Sequence, residues 1–183
     1  MNLKYVSGAL EDFCHVEYGT RVVRKNDAGT IYPVYGGGGA TFYLDTFNRE
    51  NRVVVARFAM SEQCTRRVSG KFALNDSGLT VSTKDSSILR QDLLDYLILS
   101  LNDEIYESAR GAAQKNLDVP AFRNMLIKFP LGEAEQKGIV EKLDAVFSEI
   151  DALREQTKIA KESLSALRQS ILSSAFTEES DVA

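Results

Sequence analysis

The sequence predicts an α+β protein, in which a compact mixed α/β domain is followed by one long coiled-coil-forming α-helix. Fourteen of the sixteen aromatic residues lie in residues 1–131, where glycines separate short β-branched runs. Neither glycine nor proline follows Gly138, and apolar residues there recur at alternating spacings of four and three. These observations divide the chain into a compact domain at residues 1–131, a long helix at 132–177 and a flexible tail at 178–183.

The first region reads as short strands separated by turn residues, with one helical stretch. Turn-forming residues cluster at 26–29, 36–39 and 75–78, and between them lie runs that favour strands. The predicted strands are Tyr32–Tyr35, Thr41–Leu44, Arg52–Phe58, Lys71–Leu74, Leu79–Ser82 and Met125–Phe129. From Leu89 to Arg110 the apolar residues recur every three or four positions, which predicts a helix.

The second region carries an apolar stripe that is typical of a coiled-coil seam. The seam residues are Ile139, Leu143, Val146, Ile150, Leu153, Ala160, Leu164, Leu167 and Ile171, and the spacing continues through Thr157 and Ser174. A helix from Ile139 to Ser174 is about 54 Å long at ~1.5 Å per residue. A domain of this size has too short a flank to cover such a stripe, so we expect a partner helix from another chain.

The net charge is −4, but it is unevenly distributed. Residues 1–131 contain 16 Lys and Arg against 15 Asp and Glu, whereas residues 132–183 contain 6 against 11. The acidity therefore belongs to the helical region, and a basic face on the first domain is compatible with the total. The densest basic segment, residues 49–71, contains Arg49, Arg52, Arg57, Arg66, Arg67 and Lys71.

The sequence shows no sign of a membrane segment, a metal site or a catalytic centre. The N-terminal stretch has no signal-peptide core and no apolar run reaches ~18 residues, so we expect a cytoplasmic protein without membrane contact. Cys14 and Cys64 lack metal-ligand spacing, and His15 is the single histidine. We therefore expect no metal, no bound cofactor and no catalysis by the chain itself.

Several stretches in order along the chain resemble the landmarks of type I restriction–modification specificity subunits. They are LEDFCHVEYGTR, YPVYGGGGATFY, VVVARF, GKFALNDSG and GAAQKNL, followed by KFPLGEAEQKGIVEKLDAVFSEIDAL and LRQSILSSAFT. The first five resemble a target recognition domain and the last two resemble the conserved helical repeat. The resemblance extends from about Leu10 to Thr177.

In that family a full subunit carries two recognition domains and two antiparallel helical repeats, and each domain reads half of a split DNA target. The resemblance implies a non-catalytic subunit that binds double-stranded DNA and a DNA methyltransferase (modification) subunit, and that meets a restriction or motor subunit within the complex. S-adenosylmethionine is then expected in the modification subunit. This sequence carries one recognition domain and one repeat, which implies a homodimer through antiparallel helices.

A reader of duplex DNA needs cations for phosphates and side chains for base edges. The candidate contact residues are Arg21, Arg24, Lys25, Tyr35, Gly37, Gly38, Arg57, Arg66, Arg67, Lys71 and Asn75. The glycine run lacks the lysine of a phosphate-binding P-loop, so we expect a loop whose backbone approaches DNA closely. Asn75 also fits an ordinary turn.

Two alternative functions remain open at this point. A half-length subunit can sequester modification or specificity subunits and thereby inhibit or re-target the system. The long helix is also compatible with a coiled-coil scaffold that assembles unrelated partners.

Overall fold

A computed structural model describes residues 4–177, so the predicted tail at 178–183 lies outside the described residues. The chain divides into two units, Met1–Val140 and Glu141–Ala183. The strands are β1 Tyr5–Ala9, β2 Cys14–Tyr18, β3 Tyr32–Tyr35, β4 Tyr43–Leu44, β5 Arg49–Ala56, β6 Thr65–Leu74, β7 Gly78–Thr83 and β8 Leu126–Pro130. The helices are α1 Leu10–Phe13, α2 Arg24–Asp27, α3 Gln91–Ser100, α4 Asn102–Glu107, α5 Val119–Arg123 and α6 Glu133–Thr177.

The described strands form a six-stranded sheet in the order β2-β7-β5-β6-β3-β4 and a separate two-stranded sheet of β1 and β8. All pairs are antiparallel except β3 with β6, which run parallel from Val34 opposite Ala73. This mixed domain followed by one long helix confirms the predicted fold class.

The central strand β5 is buried on both faces, as its consecutive run Val53–Ala56 requires. On one face Val54 packs with Val68, Phe72 and Leu74 of β6. Helix α3 packs against β5, β6 and β7. Because successive side chains of a strand point to opposite faces of the sheet, neighbouring residues of β6 lie on different faces.

The predicted helix from Leu89 to Arg110 is wrong as a single element, because it is interrupted at Leu101. The side chain of Asn102 explains the break. Its Oδ1 accepts hydrogen bonds from the backbone N of Cys64 at 3.1 Å and of Thr65 at 3.1 Å, and its Nδ2 donates to Glu62 O at 2.8 Å. This side chain ties the helical segment to the loop between β5 and β6.

Other differences concern short elements. Strands β1 and β2 and helices α1 and α5 were not predicted, and the one-turn helix α2 overlaps the turn predicted at residues 26–29. Strand β3 has the predicted bounds, whereas β5 and β6 begin earlier than predicted. Short strands are stabilised by tertiary pairing, which local patterns report weakly.

Helix α6 is anchored to the first unit by Gln136, whose side chain is 1% exposed. Its Nε2 donates to Ile88 O at 2.7 Å and to Pro130 O at 2.9 Å, and its Oε1 accepts from Arg90 N at 2.9 Å. Val140 is also buried. The first two turns of α6 therefore belong to the first unit, which ends at Val140.

Candidate nucleic-acid interface

Arg57 follows strand β5 and is held between two aromatic rings. Its guanidinium carbon lies 4.5 Å from the ring centroid of Tyr18 and 4.7 Å from that of Phe58. Nη1 donates to the backbone oxygen of Asp76 at 2.6 Å. Both rings are more than 40% exposed, so a partly buried cation stands beside two aromatic faces at the surface.

The glycine run after Tyr35 packs against the turn at residues 75–77. Asn75 N donates to Tyr35 O at 2.8 Å, and Gly37 N donates to Ser77 Oγ at 3.3 Å. A Cβ on Gly36 would lie 2.1 Å from Ser77 Oγ, so a side chain there would push this turn away. A Cβ on Gly38 would meet nothing within 4 Å, so the tip of the loop faces open space.

A second loop, residues 110–116, joins the same surface. Arg110 and Asn116 exchange two backbone hydrogen bonds of 2.8 Å, which close the loop between them. Gly111 adopts φ +117°, a conformation that side chains rarely allow. Leu117 N then donates to Arg57 O at 2.9 Å, while Arg57 N donates to Ser77 O at 2.9 Å. The backbone of Arg57 thus links the two loops.

We call residues 36–39, 57–58, 75–77 and 110–116 the loop surface. It contains Arg57, Arg110 and Lys115, with Asp76 as its acidic residue, and Arg110 forms an ion pair with the buried carboxylate of Asp118. Arg66 adds a further cation, because a Cβ on Gly39 would lie 3.7 Å from its Nη1. The loop surface is therefore basic, although the whole chain is acidic.

Some predicted contact residues have structural roles on or beside this surface. The Tyr35 ring meets Phe72 edge to face at 5.6 Å and packs on the core. Asn75 Oδ1 accepts from Ser77 N at 2.9 Å and from Ser77 Oγ at 2.5 Å, which is the geometry of the turn. Arg57 holds the loops together as described above.

Arg66 and Arg67 lie on opposite faces of β6, as neighbouring strand residues must. The Arg67 guanidinium stacks over the Tyr96 ring of α3 at 4.3 Å, on the face away from Arg66. There Asp95 is buried, and burial raises the pKa of its carboxyl group, although a hydrogen bond from Gln91 at 2.9 Å and the charge of Arg67 oppose the shift. The structure therefore separates Arg67 from the loop surface.

The remaining predicted cations lie along other parts of the sheet. Lys71 Nζ lies 4.6 Å from the ring centroid of Phe47, which is 42% exposed. Arg21, Arg24 and Lys25 are exposed around Val22, whose side chain packs on the cluster of Val34, Leu44 and Ala73. These cations extend the basic character to the neighbourhood of β3 and β4.

Five residues on or beside the loop surface were not among the predicted contacts, namely Tyr18, Phe58, Arg110, Gln114 and Lys115. Lys115 Nζ lies 3.8 Å from the ring centroid of Tyr106, and Gln114 is exposed. The segment Arg110–Asn116 has no acidic residue, and this was the signal available from the sequence. Its position beside the glycine run depends on contacts between distant parts of the chain.

In the second unit, the seam of α6 is largely exposed to solvent. Every side chain from Asp151 to Phe176 is exposed, and Leu143 and Ile150 are partly exposed. Ile139 is partly exposed as well, at the end of the first unit. The exposed fractions along the seam are 52% for Val146, 59% for Leu153, 66% for Leu164, 57% for Leu167 and 60% for Ile171, and Ala160 is also exposed. An apolar stripe of this length indicates a surface for another helix.

Within residues 4–177, no group of three or more His, Cys, Asp or Glu side chains is placed to hold a metal ion. Cys14 and Cys64 are buried, and burial raises the pKa of both thiols, that of Cys14 to about 12. No helix of this part of the chain is long and apolar enough to cross a bilayer.

Comparisons with known proteins agree with these features. The family model described as Type I restriction modification DNA specificity domain matches residues 2–161. No curated protein matches the chain. Among solved structures, the S subunit of a type I restriction-modification system from M. genitalium superposes with a TM-score of 0.75 at 19% identity.

Two further structures are similar. One, titled for complex assembly and conformational transition of the type I R-M system, gives a TM-score of 0.68 at 19% identity, and the HsdS subunit from Thermoanaerobacter tengcongensis gives 0.56 at 15%. In the order given, the three matches cover 88%, 94% and 82% of this chain. The chain spans 44%, 45% and 39% of theirs, which is less than half of each.

Proposed function

The chain belongs to the family of type I restriction–modification DNA specificity domains, and from this membership we propose that it recognises a DNA sequence through its loop surface and carries out no chemistry itself. The observation that carries the proposal is that the backbone of Arg57 joins the acid-free loop at residues 110–116 to the turn at residues 75–77, against which the acid-free glycine run packs. The predicted resemblance to specificity subunits is confirmed by the family match.

The composition of the loop surface suits a DNA backbone. Arg57, Arg66 and Lys115 supply cations, while Arg110 shares its charge with Asp118, and duplex affinity depends on such phosphate contacts. The glycines at 37–39 and the alanines at 112–113 present little side-chain bulk, so the protein backbone can approach closely. In this proposal the exposed carboxamide of Gln114 is a reader of base edges, since glutamine can bond both N6 and N7 of adenine.

We assign the α6 seam to pairing with an antiparallel helix, which is a second copy of the chain when this protein is alone. Two identical recognition domains related by a twofold axis would read an inverted repeat with a spacer. The length of the exposed seam supports this assignment. The proposed complex also includes a modification subunit that binds S-adenosylmethionine and methylates DNA, and a motor subunit that joins through the complex.

Site-directed photo-crosslinking tests the loop surface. Because Cys14 and Cys64 are buried, a cysteine introduced at the surface is labelled selectively with a photoactivatable reagent. Gly38→Cys and Ala113→Cys place the label on the two loops. Ser86→Cys is the matched control, since Ser86 is exposed and follows the end of β7 that is remote from Gly36.

With a mixed-sequence duplex at low salt, we expect crosslinks from the labels at 38 and 113 and background from the label at 86. Equal crosslinking from all three positions would contradict the assignment of DNA binding to the loop surface. A wild-type protein without DNA affinity, with or without the modification subunit, would contradict DNA recognition. Retained binding of that subunit would then favour the sequestering function.

A further inference from the structure

Three cations border the seam of α6 on one side. Arg154, Lys161 and Arg168 recur every seven residues, and each follows a seam residue by four positions. Four residues advance a helix by about 40° beyond a full turn, so these side chains flank the seam. Flanking positions of this kind set partner choice and orientation in coiled coils.

Acidic side chains of the same helix neutralise little of the charge of Arg154, Lys161 and Arg168, which we call the basic row. Arg154 forms an ion pair with Asp151 at 3.1 Å, but both side chains are more than 70% exposed and the pair is screened by solvent. Lys161 and Arg168 have no acidic residue three or four positions away in the sequence. The row therefore presents positive charge to any helix that covers the seam.

Antiparallel self-pairing brings this row against itself. When the seam from Leu143 to Ser174 overlaps fully with that of a second copy, Leu153 faces Leu164 of the second copy, and Arg154 then lies beside Lys161 of the second copy. Sliding by one heptad places Arg154 against Arg154, or against Arg168, of the second copy. Cations face cations in each of these registers, which weakens the pair.

A parallel pair would differ, because Arg154 would then face Glu149 of the second copy. The antiparallel arrangement on which the proposed function rests gains no such attraction from this row. An antiparallel pair of two copies is therefore stabilised by the apolar seam alone. The seam has small residues, Thr157 and Ala160, at its centre, so it buries less apolar surface there.

We propose that the α6 seam preferentially accepts an antiparallel helix of a different sequence, with carboxylates in the row that faces Arg154, Lys161 and Arg168. This inference rests on the antiparallel pairing of the proposed function. Charge complementarity identifies the occupant, and the homodimer is the weaker of the two pairs.

A charge-reversed copy of the chain serves as the acidic helix. The variant Arg154→Glu/Lys161→Glu/Arg168→Glu is mixed with the wild-type chain in equal amounts, and native mass spectrometry measures the dimers. If the two chains pair without preference, half of the dimers contain one wild-type and one charge-reversed chain. We expect mixed dimers to be favoured about tenfold over self-pairs at low salt, and the preference to fall as salt rises.

The control copy carries Ser148→Glu, Ser165→Glu and Gln169→Glu on the outer face of the helix, and it should mix statistically with the wild-type chain. A statistical mixture from the charge-reversed copy would overturn the inference and leave the dimer intact. Parallel pairing through Glu149 gives that statistical mixture, because Glu149 is the same in both copies. A deficit of mixed dimers would overturn the inference as well. The absence of any dimer would overturn both this inference and the pairing in the proposed function.

Discussion

Leu164→Asp should dissociate the proposed dimer while leaving the first unit folded. Leu164 is 66% exposed and lies in the seam, so pairing would bury roughly 100 Å² of its apolar surface, or about 2.5 kcal/mol at ~25 cal/mol per Å². A dimer contains two copies, and the loss is therefore about 5 kcal/mol before the desolvation of aspartate is added. Dimer affinity should fall by roughly three orders of magnitude or more.

Sedimentation equilibrium over a range of concentrations measures this change. The matched control is Ser165→Asp, which introduces the same charge one residue further along, away from the seam. Thermal unfolding of the first unit should be the same for both variants, because Leu164 belongs to the second unit. Equal dimer constants for the two variants would refute the reasoning that places Leu164 in a buried seam.

Three further predictions concern the first unit and are checked by thermal or chemical unfolding. Gly19→Ala should destabilise it by about 2 kcal/mol, because the new Cβ would lie 1.9 Å from a backbone oxygen, whereas Gly38→Ala meets open space and should be neutral. Gln136→Leu should lower the free energy of unfolding by about 3 kcal/mol or more, because three backbone groups lose their hydrogen-bond partner. The control Ala134→Leu, at an exposed position of the same helix, should change it little. Asp95→Asn should increase the free energy of unfolding near neutral pH and should increase it less at acidic pH. An equal increase at both pH values would contradict this prediction.

The sign of the Asp95 prediction follows from proton linkage. Burial raises the pKa of its carboxyl group in the folded state above its ordinary value of 3.8, so the folded protein holds this proton more tightly than the unfolded chain. The protonated Asp95 carboxyl group therefore stabilises the folded state fully below about pH 3.8, and this stabilisation is lost as the pH rises through the folded pKa. Asparagine keeps the hydrogen bond from Gln91 without the buried charge.

Helix α6 could be predicted from the sequence because its pattern is local and repeats along one direction. The seam from Ile139 to Ile171 is visible in spacing alone, and no distant residue is needed to form it. Strand β3 was likewise bounded by turn residues on both sides. The resemblance to specificity subunits used the order of several such local segments.

The loop surface could not be predicted because distant segments build it. Arg57 meets Ser77 and Leu117 only after β5, β7 and the loop at residues 110–116 come together. Tyr18 joins through the pairing of β2 with β7. The separation of Arg66 from Arg67 follows from strand alternation, so a longer predicted β6 would have found it.

The split of the predicted helix at Leu101 has the same origin. Apolar periodicity continues across Asn102, but the carboxamide of Asn102 satisfies backbone groups of the loop that follows β5. A side chain that binds a distant loop in this way leaves no periodic signal. Tertiary contacts therefore decide where α3 ends.

Selection of bound duplexes from a randomised DNA library tests the central claim most directly. The purified chain, alone and with a modification subunit, is equilibrated with the library at moderate salt, and the retained duplexes are sequenced. The account predicts enrichment of an inverted repeat whose two halves are separated by a spacer of fixed length. Retention of duplexes without any enriched sequence, in both conditions, would contradict sequence-specific recognition by this chain.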